Sequence, residues 1–101
     1  MILVYTTCKN EEEGKKLAEM LVGNRMASCV DIMPVQSTYR SGEEIKSGQE
    51  VALFIKTLEA KLQPIEDLVM QNDSEITPFV GAIEVRRINH AYRELMIEAV
   101  R

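Results

Sequence analysis

The sequence predicts an α+β fold: a ferredoxin-like split β-α-β-β-α-β unit with an extra C-terminal helix, on an antiparallel sheet. Two observations carry this. Segments with the apolar spacing of strands and segments with that of helices follow one another in that order, and Gly, Pro, Asn and Asp punctuate them. Two extended stretches also follow the first helix with no helical stretch between them, as in the split βαβ pattern. The 101 residues show no repeat, linker or low-complexity tract, so one domain over 1–101 is expected.

Ile2 to Thr7 is rich in β-formers and stops at Lys9-Asn10, which predicts the first strand. Asn10 is a good N-cap with Glu13 three residues on, and Glu11, Glu12 and Glu13 suit the positive end of a helix. Gly14, Leu17, Ala18 and Leu21 share the inward face, and Gly23-Asn24 ends the helix. Met26 to Tyr39 reads as a long second strand, with a bulge or an edge expected at Pro34. Ser41-Gly42-Glu43-Glu44 and Ser47-Gly48 mark a hairpin connection, and Val51 to Thr57 is the third strand. Leu58 to Gln71 forms the second helix, regular from near Leu62 because Pro64 fits only a first turn. Leu62, Ile65, Leu68 and Val69 point inward, and Asn72-Asp73-Ser74 ends the helix. Phe79 to Val85 or Arg87 is the fourth strand. Asn89 caps a third helix with Tyr92, Leu95, Met96 and Ala99 inward.

The strands predict self-association. A sheet covered by helices on one side should alternate apolar and polar residues. Here Ile2 and Val4 oppose Leu3 and Tyr5, Leu53 and Ile55 oppose Ala52 and Phe54, and Gly81 and Ile83 oppose Val80 and Ala82. An apolar sheet face left in water marks an interface. The competing reading is that helix three wraps round to cover that face. Nothing in the strands sets the number of subunits.

Composition excludes several classes. A net charge of −4 with Lys and Arg interspersed among carboxylates argues against a nucleic-acid partner. The longest apolar run is about five residues, far short of a bilayer span, so no membrane partner is expected. Met1-Ile2-Leu3-Val4-Tyr5 lacks the basic start of a signal peptide, and two cysteines without a CxxC motif suggest a reduced protein. These signs predict a cytoplasmic location. There is no Gly-rich phosphate loop, GxSxG motif or paired acid motif, so no enzyme is expected.

Several segments resemble the CutA family in order and spacing. These are Ile2-Leu3-Val4-Tyr5-Thr6-Thr7, Arg25-Met26-Ala27-Ser28-Cys29-Val30-Asp31, Ser37-Thr38-Tyr39-Arg40, Glu50-Val51 and Ile55-Lys56-Thr57, with Pro78, Val85, Asn89 and Tyr92 following. The resemblance spans essentially the whole chain. It implies a ferredoxin-like subunit in a homotrimer, linked to tolerance of copper and other divalent cations. It also implies kinship of shape with PII-type signalling proteins, which bind small effectors between subunits. The chain departs from the family at Ser41, where Trp is usual, and at Glu43-Glu44, where Gly-Lys is usual. Asp73-Ser74-Glu75-Ile76 replaces His-Pro-Tyr-Glu, and Phe79 replaces a Glu. Functions of that His, Tyr or Glu do not carry over.

Cys29 matches the family's cysteine, and its thiolate suits copper, although a mid-strand cysteine also serves as a small hydrophobe. Lys56 interrupts an apolar strand. It reads either as an anion anchor in a ligand cleft with Tyr39 and Arg40, or as a strand-end lysine that snorkels or pairs with a carboxylate across an interface. Cys8, His90, the six methionines and Glu11-Glu12-Glu13 are better explained as surface cysteine, solvated histidine, packing and helix-start electrostatics. The expected function is a non-enzymatic homotrimer in divalent metal tolerance, with copper or another divalent metal at Cys29. The alternative is a PII-like scaffold for a small anionic effector.

Overall fold

The computed structural model describes residues 1–72 and 77–101. Its elements are β1 (Ile2–Cys8), α1 (Glu11–Gly23), β2 (Cys29–Ser41), β3 (Glu44–Thr57), a 3-10 turn (Glu59–Lys61), α2 (Leu62–Asn72), β4 (Gly81–Glu84) and α3 (His90–Ala99). Every strand pair is antiparallel, in the order β2-β3-β1-β4. This is the expected α+β, ferredoxin-like arrangement with an added C-terminal helix. The departure from the family at Asp73-Ser74-Glu75-Ile76, and the end of the helix stop at Asp73-Ser74, lie outside the described residues.

Local chemistry sets the boundaries. The Asn10 side chain accepts from the Glu13 backbone N–H at 2.9 Å and opens α1. At its other end the Asn24 side-chain amide donates to the Met20 carbonyl at 2.8 Å. Arg25, not a glycine, takes the left-handed conformation there, with φ 58°. Its guanidinium donates to the Glu98 and Ala99 carbonyls at 3.3 and 3.4 Å, which satisfies the open end of α3 and offsets the backbone strain.

One face of the sheet holds the core. Ile2, Val4, Leu53, Ile55 and the helical Leu17, Leu21, Ile65 and Val69 are buried together. Gly14 lets α1 come close to β3, since a Cβ there would lie 2.9 Å from the Val51 Cγ2. Thr57 is fully buried and donates its hydroxyl to the Met26 carbonyl.

The hairpin differs most from expectation. β3 begins at Glu44 rather than Val51, and β2 runs on to Ser41. Ser47 and Gly48 are paired with Thr38 and Ser37 instead of turning. The turn is Gly42-Glu43, with Gly42 at φ 63° as the first central residue of a type II′ turn requires. Pro34 stays in register opposite Val51 without a bulge, and β2 is an edge strand. From Val35–Glu50 to Ser41–Glu44 the hairpin projects as a two-stranded ribbon roughly 20 Å long, exposed except for the half-buried Val35, Ser37, Gly48 and Glu50 near its base. The ribbon lengthens the molecule to 47 Å and raises its radius of gyration to 14.3 Å, against about 13 Å for a compact chain of this size. β4 is shorter than expected, Gly81–Glu84.

The second sheet face is partly open. Lys56 lies on it, and α3 crosses only that corner, with the Lys56 Nζ 5.6 Å from the Tyr92 ring centre. Helix three therefore does not cover the face. Phe79, Ile83 and Met33 remain 65%, 53% and 46% exposed. Met96 and Val100 are buried, while Leu95 is exposed, contrary to its expected inward position. The inward stripe of α3 is the i, i+4, i+8 row from Tyr92, too narrow to include Leu95.

Candidate functional site

The register of the hairpin brings two separately predicted residues together: Cys29 stands directly opposite Lys56. Residues opposite each other and two apart share a sheet face, so Asp31 joins them. Asp31 Oδ2 is 3.3 Å from Lys56 Nζ, and the Cys29 thiol donates to Asp31 Oδ1 at 3.7 Å. Ser28 donates its hydroxyl to the Lys56 carbonyl at 3.3 Å, and its Oγ lies 3.0 Å from the Tyr92 hydroxyl. One cation, one thiol, one carboxylate and two hydroxyls thus meet where α3 crosses the sheet.

Lys56 is 30% exposed at its side chain and Asp31 is 56% exposed. Burial alone would lower the lysine pKa. The Asp31 hydrogen bond and the charges of Cys29, Asp31 and Tyr92 outweigh it and raise the pKa above 10.5. Lys56 is therefore a fixed cation at neutral pH, and its carboxylate partner is in the same chain rather than across an interface.

As a metal centre the cluster offers two donors, the Cys29 sulfur and the Asp31 carboxylate. Among the described residues no three His, Cys, Asp or Glu side chains are grouped to hold a metal ion. A closed site at Cys29 would need donors from another copy. Tyr39 and Arg40 do not join the cluster within one chain. They sit near the tip of the ribbon, ten and eleven positions along β2 from Cys29, roughly 30 Å away by strand rise. His90 is 86% exposed at its side chain and lies 3.5 Å from Glu94. Cys8 stands at the end of β1 opposite Val51. Glu11 reaches Lys15 at 3.1 Å on the helix surface. Met96 is buried and Met26 packs against the core, but Met33 and Met70 are about half exposed, so packing within this chain does not explain those two. Asp31, Ser28 and Tyr92 went unnoticed as site residues in the sequence. Asp31 carried a signal, since alternation from Cys29 puts it on the same face; Ser28 and Tyr92 carried none.

A family model described as CutA1 divalent ion tolerance protein matches residues 2–99. The chloroplastic protein CutA of Arabidopsis thaliana is 35% identical over 99% of this chain, and the chain spans 56% of that relative's length. The divalent-cation tolerance protein CutA of Archaeoglobus fulgidus is 31% identical over 83% of this chain and 82% of its own. The solved structure of the periplasmic divalent cation tolerance protein CutA from Archaeoglobus fulgidus superposes with a TM-score of 0.95 at 28% identity, covering 100% of each chain. The expected cytoplasmic location is thereby overturned: similar proteins are described as periplasmic and as chloroplastic. The physical reason is that a charged α+β domain is stable in any aqueous compartment, so its composition does not encode one. No helix among the described residues is long and apolar enough to cross a membrane.

Proposed function

Because the chain belongs to the CutA1 divalent ion tolerance family, we propose that it is a non-enzymatic homotrimer acting in tolerance of divalent cations, copper among them. The family match over residues 2–99 is the observation that carries this reading. The open apolar sheet face and the exposed ribbon support assembly. The Cys29–Asp31 pair is the proposed metal contact, completed by donors from neighbouring copies. A soft sulfur beside a carboxylate suits copper or zinc. Calorimetric titration of the reduced protein with copper and with zinc tests the site. The expected result is saturable binding near one ion per subunit or per trimer, weakened at least about tenfold in Cys29→Ala, the loss of one of a few ligands. Unchanged binding in Cys29→Ala rules the site out.

A second reading is a PII-like scaffold that binds a small anionic effector in clefts between subunits. The fixed positive charge of Lys56 favours it, and the ribbon could carry Tyr39 and Arg40 of one copy toward Lys56 of the next. A thermal-shift screen of nucleotides and carboxylate metabolites checks it. A ligand at 100 times its Kd should add about 2.7 kcal/mol of stability; a flat screen removes this reading.

A further inference from the structure

The chain is acidic overall, yet three arginines converge on one cavity. The cavity, about 280 Å³, lies between the start of β1, the segment after β4 and α3. Met1, Leu58, Val85, Ile88, Met96 and Ile97 line its apolar part, and Arg86, Arg87 and Arg93 complete the lining. Met96 is fully buried, which fixes α3 against the sheet end. The Val85 N–H donates to the Met1 carbonyl at 3.1 Å, one residue beyond β4, and sets where Arg86 and Arg87 leave the sheet. The Arg93 N–H donates to the Asn89 carbonyl at 3.1 Å, so Arg93 stands on the first turn of α3. The backbone thus builds the site.

None of the three guanidiniums has a carboxylate within ion-pair distance among the described residues. The acidic neighbours on α3 are engaged elsewhere: Glu94 with His90 and Glu98 with Arg101, both at 3.5 Å. Three like charges beside an apolar floor, without an ion-pair partner among the described residues, repel one another and attract an anion. Guanidinium groups match phosphate oxygens in paired hydrogen bonds, better than a point charge does. The floor offers side chains without hydrogen-bonding groups, so the ligand's body must be apolar. A volume near the lower bound of small-molecule sites limits that body to a compact one.

We propose that this cavity binds a small amphiphilic organic anion, a phosphate monoester with a compact apolar or aromatic body. The site lies within one chain and is separate from the Lys56, Tyr39 and Arg40 cleft.

Phenyl phosphate is the probe, titrated calorimetrically into the assembled protein at low salt and near-neutral pH. Arg86→Gln and Arg93→Gln should each weaken binding about tenfold or more, the loss of one charge-assisted contact. Both side chains are exposed, and melting curves verify that the variants fold. Arg40→Gln, on the ribbon, should bind as the parent does. Inorganic phosphate, which has no apolar body, should bind at least about tenfold more weakly. The proposal is overturned if phenyl phosphate does not bind, if Arg86→Gln and Arg93→Gln bind it unchanged, or if inorganic phosphate binds equally well. A loss in Arg40→Gln alone would move the ligand to the ribbon cleft and overturn it too.

Discussion

In the proposed trimer, replacing Ile83 with Asp is expected to release free subunits while leaving each subunit folded. Ile83 lies opposite Leu3 on the open sheet face and is 53% exposed in the single chain. Beside it Tyr5 makes edge contacts with Phe54 and Phe79, with ring centres 5.2 and 6.1 Å apart. Within one subunit a carboxylate at this position keeps water on one side, so the fold loses little. Covered by a second copy, it becomes an unpaired buried charge, which costs about 3–5 kcal/mol. Three-fold symmetry would impose that cost at every contact. Sedimentation or native mass measurement should then give the 11.5 kDa subunit, with the far-ultraviolet circular dichroism retained. An Ile83→Asp protein that stays assembled at micromolar concentration would show that this face is not the contact.

Leu53→Ala should produce the largest loss of stability of any single truncation in the core. Leu53 is fully buried on β3, which pairs with both β1 and β2. A Cβ on Gly14 would lie 3.5 Å from its Cδ1, so helix and sheet meet at this side chain. A rigid sheet on one side and a closely seated helix on the other leave little room for collapse, and the cavity persists. The cost is about 3–5 kcal/mol. The melting temperature should fall by roughly 12 °C or more. Calorimetry must be run at one fixed protein concentration, because the proposed assembly would contribute to the observed Tm. A fall under about 3 °C would mean that the core is not organised around β3.

Where one face meets the core and the other meets water or a neighbour, the sequence carried the structure legibly. β1, α1 with its Asn10 cap, and the inward residues of α2 follow from spacing and capping alone. The ribbon did not, because both of its faces are solvated and its polar residues show no alternation. Ser47-Gly48 then reads as a turn although the backbone pairs straight through it. That one misplacement hid the site. Cys29 and Lys56 were each legible by residue type, but they become partners only once the turn is set at Gly42-Glu43, from which they are equally distant. The orientation of α3 was legible only to within one residue, so Met96 was placed correctly and Leu95 was not. Arg86, Arg87 and Arg93 are spread across a loop and a helix start, and only the fold of α3 against the sheet end collects them.

A ribbon with water on both sides alters the rate law of maturation. Two paired strands alone are marginal in water. In the proposed assembly the cover for one chain's ribbon comes from another chain. The core can close as a first-order event along a single polypeptide, but covering of the ribbon cannot. That last step is higher than first order in protein concentration. Dilution would slow it without touching the core, and local abundance during synthesis would set how quickly a finished molecule appears.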